Sequence, residues 1–175
     1  MAWSASAIFQ QAMKNPMTAS LAGTSNVTLP TGYSATGGLV ADTVNVSLFG
    51  TLTPDKTAAV GSTGYNTGVW TTGNEITSST QWPAGGVATA STSYTLDTGS
   101  SSFVFHAANT SGSGTVTLTA FFGCLVYDNS ISAGTVAKQG MCFNYFGGSQ
   151  TITAGTFTII WATVGPTTGI FNITV

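Results

Sequence analysis

The chain has 175 residues and 17.7 kDa, enough for one domain with a substantial core and too little for a second full one. Only 5% of residues are charged, against roughly 25% in an average soluble protein, and the net charge is −2. There is no arginine and lysine stands only at Lys14, Lys56 and Lys138, so no basic surface exists to neutralise a phosphate backbone, and no specific nucleic-acid binding is expected. The acids are Asp42, Asp55, Glu75, Asp97 and Asp128, with His106 the single histidine, which leaves most enzyme classes without their acid-base groups. Ser and Thr together supply about 50 residues, beside 22 glycines; Thr suits the solvent face of strands and Gly suits turns, so the composition predicts an all-β chain. So little charge, with a mean hydropathy of +0.30, predicts burial in an assembly.

The first nine residues lack both a basic stretch and an uninterrupted apolar stretch, so no secretory signal is expected. Residues 4–14 place Ile8, Phe9, Ala12 and Met13 at helical spacing behind a Ser4 N-cap, with Pro16 as the stop; this is the one predicted helix. A helix so short must dock, either on its own sheet or on a neighbouring subunit. Residues 19–38 are rich in Gly, Ser and Thr and read as an extended arm, dividing the chain into an N-terminal helix and arm (1–38) and a β-sandwich body (39–175).

Beyond residue 38 the apolar period becomes two. Val44, Val46 and Leu48 alternate with polar residues, as do Tyr94 and Leu96, Phe103 and Phe105, and Val116 and Leu118. The longest predicted strand, 115–127, would send Val116, Leu118, Ala120, Phe122, Cys124 and Val126 to one face and Phe121, Leu125 and Tyr127 to the other, a central strand whose second half is buried on both sides. After a turn at 128–134, a strand at 136–146 returns, 147–149 turn again, and 156–163 and 169–175 close the fold. No repeat of fixed period is visible. The expected architecture is a single antiparallel β-sandwich or jelly-roll-like domain with one short N-terminal helix or arm. No run approaches the roughly 18 apolar residues that a membrane helix needs, so no membrane contact is expected.

Candidate chemistry is sparse. His106 sits inside a predicted strand with no nucleophile motif beside it, and the acids stand near turn signals, where a carboxylate usually bonds local amides. Cys124 and Cys142 fall on neighbouring predicted strands, in no zinc-binding pattern, as buried free thiols or a cross-strand disulfide. No metal and no cofactor is expected. The apolar set Trp3, Ile8, Phe9 and Met13 is a candidate interface, as are Trp70 and Trp82; with Tyr65 and Tyr33, these two tryptophans could instead stack on a glycan.

From residue 44 onward a colinear series of short motifs carries a resemblance. It runs Val46-Ser-Leu-Phe49, Thr53-Pro-Asp55, Tyr65, Asn74-Glu-Ile76, Trp82 and Gly85-Gly86, then Leu125-Val-Tyr-Asp128 and Phe143-Asn-Tyr-Phe-Gly-Gly-Ser-Gln150, and ends with Phe157-Thr-Ile-Ile-Trp161 and Gly169-Ile-Phe171. The series, spanning three-quarters of the chain, is similar to small virion structural proteins of tailed bacteriophages, the head decoration (cement) and minor tail proteins. It departs from them at Asn144 and Tyr145, where an apolar residue and an acid are usual. The resemblance implies a non-enzymatic role on the virion, without catalytic residues: either on the capsid surface, held to the major capsid protein by an N-terminal arm and a β body, or in the tail or tail fibre. The low charge and the local symmetry of capsid three-fold sites together predict a homotrimer.

Overall fold

The computed structural model describes residues 3–10, 12, 42–59, 61–97, 102–132, 136–161 and 169–174. In chain order its strands are β1 (Ala7–Ile8), β2 (Val44–Phe49), β3 (Glu75–Ile76), β4 (Val87–Ala88), β5 (Ser93–Asp97) and β6 (Ser102–His106). They are followed by β7 (Thr110–Ser111), β8 (Val116–Asp128), β9 (Gly140–Gly155), β10 (Thr158–Ile159) and β11 (Phe171–Thr174). Every pairing is antiparallel. The fold is the expected all-β, sandwich-like one.

The central sheet runs β1-β9-β8-β2-β3, with β4 on the same edge of β2 as β3. One face of it meets a second layer made by β5-β6-β11 and the β7-β10 pair. Between them lies a core of Val44, Val46, Leu48, Cys124, Val126 and Met141 from the sheet, closed by Phe105, Ile159, Trp161 and Ile170 from above. The opposite face is covered by chain outside any long strand: Trp3, Phe9, Leu52, Tyr65 and Trp70 pack over Phe49, Leu125, Tyr127 and Phe143. Strand β8 is accordingly buried without interruption from Gly123 to Asp128, as expected of a central strand. Burying side chains of this size contributes roughly 1.5–3 kcal/mol each, so both cores matter to stability.

Four expectations are corrected. The helix over 4–14 is absent from its first half, because residues 7 and 8 pair with Phe143 and Cys142 at the edge of β9, and the Phe9 N–H donates to the Met141 carbonyl (3.0 Å). Helical backbone is confined, among the described residues, to Gln10 and Ala12, while Met13 and Lys14 lie outside them. A sheet edge supplies backbone partners that a marginal helix would have to find internally, and so wins. A boundary at residue 38 does not separate residues 3–9 from the body, on which they pack; the predicted arm at 19–38 lies outside the described residues.

The third correction concerns β8. Ala120 adopts φ 54° at a bulge, and the pairing with β9 shifts again between Phe121 and Gly123. Phe121 therefore joins Cys124 and Val126 in the first core and Phe122 packs on the second, the reverse of strict alternation. Fourth, β9 does not end at a turn over 147–149 but runs on to Gly155, absorbing those residues as an irregularity. Gly123 pairs with Tyr145 and Phe121 with Gln150, so two steps on β8 answer five on β9.

Candidate functional site

The aromatic residues read from sequence as an interface are mostly interior. Trp3 is 4% exposed, Phe9 0%, Trp70 1% and Trp82 0%. Trp3 donates its indole N–H to the Gly50 carbonyl (2.9 Å) and meets Trp70 edge-on at 5.6 Å. Phe9 meets Trp70 at 5.8 Å and Phe143 at 5.4 Å. Trp82 stands in the first core with its ring 5.2 Å from Phe157. Ile8 is half-buried beside that core. Met13 and Tyr33 lie outside the described residues. Tyr65 is buried too, so neither a glycan-stacking surface of Trp70, Trp82 and Tyr65 nor an exposed interface of Trp3, Phe9, Trp70 and Trp82 exists in this fold. Their rings are held in the chain's own cores, where burial is worth more than exposure in a loop.

The polar side chains are largely engaged internally. Asp55 accepts from the Thr57 N–H (2.7 Å) and hydroxyl (2.6 Å), the local turn role expected of it. Glu75 departs from that role: its carboxylate accepts from the Tyr65 hydroxyl (2.8 Å) and the Gly85 N–H (2.9 Å). The Gly85 carbonyl in turn accepts from the Tyr127 hydroxyl (2.7 Å) and Asn45 Nδ2 (3.0 Å), and the Tyr65 and Tyr127 rings stack at 4.8 Å. Burial raises the Glu75 pKa, against the hydrogen bonds from Tyr65 and Gly85 that lower it. Burial pushes Tyr127 up to about 12, and burial with the neighbouring Glu75 pushes Tyr65 higher still. This cluster ties β2, β3, β8 and the 83–86 turn together.

His106 is a half-buried residue of β6, paired with Ser93 of β5. Cys124 and Cys142 are free thiols in the first core, and burial raises both, Cys124 to about 12, which keeps them protonated and unreactive. Among the described residues no three His, Cys, Asp or Glu side chains converge to hold a metal, and no helix is long and apolar enough to cross a membrane.

What the fold does present outward is a groove that sequence reasoning missed. Phe121, Phe146, Ile152, Phe157, Ile159 and Ile160 line it, with Gln150, Thr151 and Thr158 completing the wall, around a volume of about 460 Å³. Its floor is an aromatic triad: Phe121 meets Phe157 edge-on at 5.1 Å and Phe146 at 5.9 Å. The irregularity at 146–150 turns Phe146 into this position, and the short β10 leaves Ile160 pointing out, 75% exposed. No wall residue carries a charge. The available signal was Ile160 itself, one apolar residue too many in 157–161 for a strand with one buried face.

Comparison with protein-family models, with curated proteins and with solved structures returned no match.

Proposed function

We propose that this chain is a non-enzymatic structural protein of a tailed-bacteriophage virion, a capsid decoration (cement) protein that binds the major capsid protein on the outside of the shell as a homotrimer. The observation that carries the reading is the uncharged groove around Ile160. A large aliphatic side chain held three-quarters in water above three phenylalanine rings is an anchor awaiting a partner, and truncating such central apolar residues typically costs an interface more than about 1 kcal/mol. The colinear motifs from Val46 to Phe171 and the 5% charge support the same reading. Each contact would bury on the order of 1,000 Å², and repetition over the shell adds avidity without any strong single contact. The N-terminal strand acts inside the body in this mechanism, so attachment falls to the groove.

The test is co-sedimentation with undecorated shells. Ile160→Asp leaves the thermal midpoint near that of the unaltered chain, because the side chain is exposed, yet abolishes attachment. A well-folded Ile160→Asp protein that still saturates shells with unchanged affinity refutes the groove as the docking surface, and light scattering that shows a stable monomer at micromolar concentration refutes the trimer.

A further inference from the structure

Building on the reading of this chain as a shell-binding protein, we propose that the groove around Ile160 takes an extended, uncharged segment of the major capsid protein as an added strand along β10. Strand β10 has a partner on one edge only, β7, and the groove lies along the other. Four consecutive residues, Phe157 to Ile160, border the groove. Side chains of a strand alternate between its faces, so an unbroken run of this kind presents the strand's backbone edge rather than one face.

The direction of the backbone groups follows from the β7 pairing. Thr158 faces Ser111 and Ile159 faces Thr110, and the Trp161 N–H reaches across to Asn109 Oδ1 (3.1 Å). Trp161 thus turns its N–H to the β7 side, and Ile159, two residues earlier, does the same. The alternate residues Thr158 and Ile160 point their N–H and C=O groups the opposite way, toward the groove, where no described residue bonds them. On the far wall, Gln150 to Ile152 of β9 pair with β8 alone, because β1 reaches only Cys142 and Phe143.

These features define the occupant's chemistry. Free backbone donors and acceptors along a strand edge are matched by another strand. The floor of Phe121, Phe146 and Phe157 receives every second side chain of that strand, and those must be apolar, since the wall offers no charge to pair a buried one. On the outer face an added strand sets a side chain beside Ile160, which is 75% exposed without it. A second copy of this chain fits less well: β10 paired with β10 gives a two-fold dimer over a strand of two residues, whereas a trimer needs a three-fold contact.

The test is hydrogen exchange on the full chain, free and bound to undecorated shells. An added strand should slow the Thr158 and Ile160 amides at least about tenfold on binding. Thr158→Pro removes one outward donor at an edge position, where proline is tolerated, so it should fold with a near-native thermal midpoint and attach at least about tenfold more weakly. Should that variant misfold, exchange on the unaltered chain decides alone. Saturating attachment with no gain in protection at either amide overturns the added strand while leaving the groove as the docking surface, and so does a folded Thr158→Pro protein that attaches with unchanged affinity. Failure of the unaltered chain to attach to shells overturns the added strand together with the shell-binding reading. Protection of the two amides that rises with the concentration of the chain alone also overturns it, by putting a second copy in the groove.

Discussion

Trp3 lies directly over Gly123. A Cβ built on that glycine would stand 2.6 Å from the indole ring and closer still to the Asn144 carbonyl, so this position of β8 must have no side chain. Gly123→Ala should therefore lift Trp3 off the sheet and break its bond to Gly50, at a cost of about 1–3 kcal/mol for overpacking. The measurements are a lowered denaturant midpoint and a red-shifted tryptophan emission. An unchanged midpoint would mean that Trp3 is not seated there.

Removing residues 1–9 should unfold the protein rather than free a dispensable arm. Trp3 and Phe9 are both buried, and truncating a core aromatic costs about 3–5 kcal/mol, so losing the two approaches the whole stability of a typical domain, about 5–15 kcal/mol. Circular dichroism and a urea titration check this. A truncated chain with a cooperative transition at the native midpoint would contradict the placement of this segment in the body.

Tyr65→Phe should destabilise the fold by about 1–3 kcal/mol, because it strips a hydrogen bond from the buried Glu75 carboxylate. The Glu75 pKa is raised from 4.5, so its proton favours the folded state and its contribution is lost as pH rises above that value. Asp128 acts in the same direction up to about pH 7. Stability should therefore be higher near pH 5 than near pH 8, with a slope of at most about 1.4 kcal/mol per pH unit for each group. Thermal melts across that range check the sign, and Glu75→Gln should shallow the slope.

Both thiols should be silent toward a thiol reagent in the native state and react together when the chain unfolds, since each is interior and held protonated. Reaction of either at the rate of a free thiol, under native conditions, would place it at the surface.

Strand positions governed by simple alternation were legible. Val44, Val46 and Leu48 face one core, as their spacing says, and the second half of β8 is buried on both faces, as its continuous apolar run says. What alternation cannot show is a bulge: Ala120 and the residues after Phe146 each insert backbone without changing the local residue types much, and Phe121 and Phe122 exchange faces while Cys124 to Tyr127 keep theirs. The docking of residues 3–9 had a faint signal in glycine. Gly123 within one strand and Gly140 at the start of the next carry no side chain where Trp3 and Phe9 approach, and glycine inside a strand commonly marks such an approach. The groove escaped notice because its residues come from both sides of that irregularity and from β10, whose own pattern is only two residues long.

The most direct measurement of the virion reading is the number of copies of this chain per particle, by quantitative mass spectrometry of purified virions. Attachment at the symmetry-related sites of a shell would give copies on the order of hundreds, in a fixed ratio to the major capsid protein. A few to some dozens per particle would contradict decoration of the head and place the chain in the tail, and its absence from purified particles would contradict a virion role altogether.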